Sequence, residues 1–457
     1  MRVPLPRRVP ARICSALIGL AALAWFLLRT GTRPSRAVYP CQRAALSTSW
    51  AFLAVPFAAF VPMPPRRMRG RSGRGPAVAA VVAVGVVGLV IALQSGAFTG
   101  GGERDGWDRE TWLGGLSERA PLPRLPGRVA HVTDARATSW DFETGWYGDY
   151  IDQAVVTSMV EDGLLALTEA PSVAEAWELL IPDFEPGQKV AIKVNLNNTR
   201  SELPGKAIDA VIEPVNAVIA GLVGRGFAPS DITVYDVTRG AHDGRMPDHL
   251  PERCAYEGVG FVAYVGNDAP FSNEKVEFDP SGREGISDRP LARVMVEADY
   301  LINMPIAKAH DFAGMSVSFK NHFGSIDRCD HLHPYVFLRD DSYTPDYSPM
   351  LELYAHEDVG GKTVLTVCDA LFGTCTHLWS PPTRWPSCGG PPNSILLSTD
   401  PVALDCVVAD MLAEQGAIPE GSDDYLVLAG EAGMGVCERA GDDGEYAAID
   451  YLHIERP

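Results

Sequence analysis

Between Asp299 and Tyr335 the sequence gathers side chains able to hold anions, move protons or ligate metals: Lys308, His310, Asp311, Lys320, Asn321, His322, Asp327, Cys329, His331 and His333. Four of the chain's ten histidines and two of its seven lysines fall in this stretch. With 32 arginines filling most basic positions, a lysine inside a polar cluster points to a use for a compact, titratable ammonium. Lys193, Lys308 and Lys320, together with His310, Asn195 and Asn321, would form a positive patch suited to a carboxylate or phosphate. A desolvated lysine there can also lose its proton and act as a base or Schiff-base former. The plainer alternative is that each lysine pairs with one of the abundant carboxylates.

Cys329, His331 and His333, with Asp327 or Asp330, offer sulfur, nitrogen and oxygen donors within a few residues. Three of them could hold zinc or another transition metal and leave a position open for substrate. In a short loop, alternate residues can also point apart, which would leave these histidines as ordinary surface groups. Asp369 joins the candidate ligand-binding set from further along the chain, as does Asp405, which lies inside a helix, where it could face either the core edge or solvent.

The elements that must position these groups are read from hydrophobic periodicity. Strands are expected at 128–133, 189–196, 231–237, 260–265, 300–304, 363–368 and 394–398, and helices at 150–168, 173–180, 207–226 and 401–415. Strand followed by helix and strand implies right-handed crossovers, hence an α/β fold with a mostly parallel sheet and flanking helices. Asn195, Lys308 and Asp369 then stand at or just past strand ends, where ligands bind in such sheets. The polar residues after Met304 are expected on a loop. Gly221, Gly224 and Gly226 close a helix instead of opening one, so they are no dinucleotide fingerprint. Asp400-Pro401 reads as a helix start, Asp at the N-cap and Pro in the first turn, in preference to a catalytic carboxylate. The loop 373–393, with Trp379 and Trp385, reads as a lid or pocket wall. Its bracketing Cys375 and Cys388 would pair in an oxidising compartment, the alternatives being free thiols or metal ligation with His377 or Cys368.

Four separated motifs, KVAIKVNLN, DYLINMPIAKAH, SFKNHFG and NSILLSTDPVALD, in this order resemble the domain-of-unknown-function 362 family over about residues 128–454. The resemblance implies attention to Lys193, Asn195, Lys308, His310, Lys320, Asn321, Gly324, Asp369, Asp400 and Asp405. The family has no assigned function, and some members are described as iron-sulfur proteins. This chain lacks a C-x-x-C-x-x-C run, so no ferredoxin-type cluster is expected and the cofactor is unknown beyond a transition metal at the Cys329 group.

Charge divides the chain. Residues 1–102 carry thirteen Arg and no Asp, Glu or Lys, whereas 103–457 carry 26 basic and 58 acidic groups, a net charge of −32 that would repel nucleic acid. Apolar runs at 13–28, 50–61 and 77–93 mark residues 1–98 as a membrane-directed leader, the third run being the best spanning candidate. The arginines from Arg66 to Arg74 would keep that end in the cytoplasm and place the acidic body outside. Arg66-Arg67 also raises a twin-arginine signal, and a start at Met63 or Met68 is an alternative. Residues 99–127 are expected to be a linker, and 128–457 the α/β domain. The expected function is a membrane-tethered, extracytoplasmic enzyme acting on a small anionic substrate, metal-assisted if the Cys329 group binds one. The alternative is a non-catalytic protein that binds an anion or metal at the same place.

Overall fold

The computed structural model describes residues 107–196, 207–238, 244–265, 270–278, 286–376 and 380–457. The leader with its apolar runs, and with it the expected membrane segment, lies outside these residues. Among the described residues no helix is long and apolar enough to cross a membrane.

Residues from Asp108 onward form one compact unit. Within the expected linker, Arg109–Arg119 is instead a helix. Asp108 caps it, its Oδ2 accepting the Thr111 N–H at 2.8 Å. Trp112, Leu113 and Leu116 are buried, and the Trp112 indole donates to Glu352 Oε1 at 3.0 Å. The glycines and charges around those three apolar residues hid a short amphipathic helix.

The central sheet is built on β1 (Arg128–Asp134), β2 (Val190–Lys193), β3 (Ile232–Asp236), β4 (Gly260–Ala263), β7 (Tyr300–Asn303), β10 (Thr363–Thr374), β11 (Ser394–Ser398) and β12 (Asp450–Arg456). Their order is β12-β1-β11-β10-β7-β2-β3-β4, with β8 (Ile306–His310) alongside β10 and β9 (Gly314–Ser316) alongside β8. The run from β10 to β4 is parallel, while β11 is antiparallel to both its neighbours. The fold is therefore mixed α/β with a mostly parallel sheet. A separate antiparallel pair, β5 (Phe271–Val276) and β6 (Arg289–Ala292), was not foreseen.

Helices flank the sheet. Gln153–Thr168 starts three residues later than periodicity suggested, because Asp152 is its cap and accepts from Ala154 and Val155 N–H. Gly163 lets it lie close on β11, since a Cβ there would fall 2.3 Å from Leu397 Cδ1. Val156, Met159, Val160, Leu164 and Leu167 bury against Val132, Ile395 and Leu397 in the main core. The helix Ile212–Arg225 joins β2 to β3 and ends at Gly226, which takes φ +119, a backbone suited to glycine. Beyond Met304 the expected loop is a buried hairpin, β8 and β9, followed by a one-turn helix, Ser318–Asn321. The polar side chains in it misled the reading because they face one another in the interior.

Candidate functional site

The chain runs outward from β2 to β3 and β4, yet β7 pairs with the other edge of β2. In open α/β sheets such a change of direction is where ligands are held, in the crevice at the carboxyl ends of the strands, here β2 and β7. Register puts Lys193 beside Asn303 and beside Tyr235.

Three donor directions of the Lys193 ammonium are taken, by Val194 O at 2.6 Å, Asp236 Oδ2 at 3.1 Å and Asn321 Oδ1 at 3.4 Å. Asp236 is fixed in turn by the Leu196 N–H and by Thr238. Burial lowers the Lys193 pKa and Asp236 opposes the fall. For this lysine the plain ion-pair alternative holds. Asn321 ties the crevice together: its Oδ1 accepts from Asn195 Nδ2 at 3.0 Å and its Nδ2 donates to Asn303 Oδ1 at 2.7 Å. Asn195 Oδ1 then receives the Lys308 ammonium at 2.8 Å. Gly324 presses its backbone into this group; a Cβ there would lie 2.4 Å from Asp236 Oδ1 and 2.6 Å from Lys193 Nζ.

Lys320 differs from the other two. It is 7% exposed, and its ammonium stands 4.1 Å from the centre of the Phe323 ring. Among the described residues it has no hydrogen-bond acceptor and no carboxylate partner. Burial pulls both Lys320 and Lys308 down to about 8; Cys329 opposes the shift at Lys320, Asp209 and Asp236 oppose it at Lys308. The His310 ring is buried, with Nδ1 accepting the Phe312 and Ala313 N–H groups, which leaves its proton on Nε2. Burial, then the charges of Lys320, His333 and Lys308, hold His310 well below its ordinary value, so it is neutral at pH 7. His322 is likewise pushed down, to about 3 by burial and Lys193, and its Nε2 has no partner among the described residues.

The structure thus brings Lys193, Asn195, Lys308, His310, Lys320 and Asn321 to one crevice. Asp369 and Asp405 make no hydrogen bond to these side chains among the described residues. The Asp369 carboxyl accepts from Leu371 N–H, and burial raises it to about 7 with Glu213 adding to the shift. Asp405 accepts from the Ser318 and Phe319 N–H groups at 2.9 and 3.5 Å and from Tyr425 at 2.9 Å. It therefore holds the start of the turn that presents Lys320 and Asn321. Burial raises it to about 6. Asp400 is the expected N-cap, accepting from Val402 and Ala403 N–H.

The metal reading of Cys329, His331 and His333 is corrected. Among the described residues no three His, Cys, Asp or Glu are placed to hold an ion. Cys329–His331 and His333–Tyr335 are 3-10 turns, in which residues two apart point in different directions. His331 turns toward solvent beside Asp330, while His333 stacks between Phe323 and Phe337. Burial raises the Cys329 thiol to about 11 despite Lys320 and Lys193, so it stays protonated. Cys375 and Cys388 are free thiols. Of the expected lid, His377 and Trp379 lie outside the described residues. Trp385 is buried against Gly373, where a Cβ would lie 2.6 Å from its ring and 2.8 Å from Ala307 O, so it is a packed wall next to β8.

Asp236, Asn303 and Thr238 were missed. Asp236 ends a strand in the same way as Asn195, and the strand-end criterion applied evenly would have found it. Asn303 sits inside an apolar strand, with no local signal to mark it.

With this geometry in view, the family described as "Domain of unknown function (DUF362)" matches residues 190–410. That segment, which holds every residue of the crevice, belongs to this family. No protein of curated function matches the chain. Among solved structures, a protein from Thermotoga maritima is similar at 13% identity and a TM-score of 0.29, over 44% of this chain and 50% of its own. The lactate racemase apoprotein from Thermoanaerobacterium thermosaccharolyticum is similar at 15% identity and a TM-score of 0.32, over 55% of this chain and 54% of its own. The chain therefore spans about half the length of each.

Proposed function

We propose that the crevice belongs to an enzyme acting on a small carboxylate or phosphate, which binds against Lys320 and exchanges protons with Lys308 or Lys320. The observation that carries this reading is the Lys320 ammonium, buried to 7% exposure with no acceptor among the described residues. A buried cation left unpaired is costly, and an anion entering the crevice removes that cost. Lys308 and the neutral His310 Nε2–H stand near Lys320 as further donors. Two lysines with midpoints of about 8 favour turnover over simple holding. A protein that merely holds an anion gains from fully charged ammonium groups, whereas proton transfer gains from groups that titrate near neutral pH.

The test is calorimetric titration of the full chain with inorganic phosphate and with acetate. Saturable binding of one of them should weaken as pH rises through about 8, because Lys320 then loses the charge that holds the anion, and should disappear in Lys320→Met. Absence of binding, or binding untouched by Lys320→Met, overturns the proposal.

We further propose that the leader tethers this domain to a membrane with the acidic body outside the cytoplasm, a reading supported by the apolar run 77–93 and the arginines before it. Reporter fusions placed after Phe98 should be active only outside the cytoplasm; activity inside rejects it.

A further inference from the structure

Seven cysteines lie among the described residues, all as free thiols. The sulfurs of Cys406 and Cys437 are 3.8 Å apart. Cys406 sits in the helix Pro401–Glu414, while Cys437 follows the helix Asp424–Glu431, 31 residues later.

The approach is built. On one side of Cys437, the Val436 N–H is held by Asp400 Oδ2 at 2.9 Å. On the other, Arg439 bonds Asp410 and Asp423, each at 2.7 Å, and the Ala440 N–H bonds Asp410 at 2.9 Å. Gly430 leaves room for the segment to descend, since a Cβ there would fall 2.6 Å from Cys437 Cβ. Cys406 is buried and Cys437 half-buried, so a reagent from solvent reaches Cys437 first. The Cys406 S–H donates to Cys437, which lowers the Cys437 pKa and raises that of Cys406. Thiolate character and access therefore favour the same sulfur as attacker.

We propose that Cys406 and Cys437 form a dithiol that closes to an intramolecular disulfide on reaction with a small-molecule or protein disulfide. The Cys437 thiolate attacks one sulfur of the oxidant R–S–S–R. The S–S bond breaks and one RSH leaves with a proton. Cys406 then gives up its proton and attacks the Cys437 sulfur of the mixed disulfide, releasing the second RSH. Two electrons pass to the oxidant, and both thiol protons end on RSH. Cys406 adjoins Asp405, the carboxylate that holds the Ser318–Asn321 turn, so the bond would fasten the helix behind Lys320 to the pinned loop.

The test treats the full chain with oxidised glutathione, alkylates remaining thiols under denaturing conditions, and maps a non-reduced digest by mass. A Cys406–Cys437 cross-linked peptide, two hydrogens lighter than the pair of thiol peptides and absent after reduction, is expected in most molecules. In Cys406→Ser, Cys437 should instead be recovered as its glutathione adduct. The proposal is overturned if both cysteines of the wild-type chain are recovered alkylated, if both carry glutathione separately, or if either is joined to a different cysteine. None of these outcomes depends on anion binding at Lys320.

Discussion

Asp400 and Lys320 are both ionisable side chains shut inside the protein, and they are treated in opposite ways. Asp400 receives four backbone N–H groups, from Gly127, Val402, Ala403 and Val436, at 2.8 to 3.0 Å. These join the start of β1, the first turn of a helix and the loop that carries Cys437. Among the described residues Lys320 has no hydrogen-bond acceptor or carboxylate partner and lies over the face of Phe323. A saturated charge of this kind is architecture, since each partner would be orphaned by its removal. An unsaturated one adds no stability, and a partner that arrives from outside would complete it. The same contrast divides the acidic candidates: Asp405, with three donors, is a strut for the turn that displays Lys320.

The comparison breaks most decisively at Asp400. Asp400→Ala should lower unfolding stability by about 4 kcal/mol, because several buried N–H groups lose their acceptor together. Chemical denaturation measures it, and a loss under about 1 kcal/mol would mean that water or a neighbour takes over.

Gly324→Ala should cost about 2 kcal/mol through crowding, since its Cβ collides with Asp236 Oδ1 and Lys193 Nζ. It should also weaken anion binding, by displacing the network that orders Asn321. A variant as stable as the parent would show that the ion pair can step aside.

Lys320→Met sharpens the contrast from the other side, removing ligand binding while raising stability by about 2 kcal/mol at pH 7. The folded pKa of about 8 lies below the unfolded value. The cost of burying the ammonium is therefore complete below pH 8 and fades as pH rises toward the unfolded lysine value, about 10.4. The variant's advantage should shrink over that same window. An advantage independent of pH would assign the gain to packing alone.

Asp369→Asn should stabilise the protein at pH 8, the raised carboxyl pKa setting an upper limit of about 4 kcal/mol. Its folded pKa, about 7, lies above the unfolded one, so the parent loses stability as pH rises from about 4 to about 7. Melting curves at pH 4 and pH 8 should show the variant's gain at the higher pH only. A gain at both would remove the titration argument.

Much of this was legible in the amino-acid sequence. Alternating strands and helices stood out because their periodicities are local. Asp400-Pro401 announced a helix start because an N-cap acts within three residues. The lysines and amides of the crevice were legible as a set, since scarce lysines at strand ends in a parallel sheet converge for topological reasons. Tertiary structure alone decided which of them act together. Asn195 and Asn321 meet across 126 residues, and Asn303 joins them from an apolar strand, through a sheet order that no local pattern specifies. Backbone turns sent His331 to solvent and His333 into an aromatic stack, although sequence proximity had suggested one metal site. Cys406 comes to 3.8 Å from Cys437, because the contacts of Asp400 and Arg439 place that thiol. Residue type fixes what a side chain can donate, accept or titrate; whether its partners are present depends on segments far away in the chain, and so on the fold.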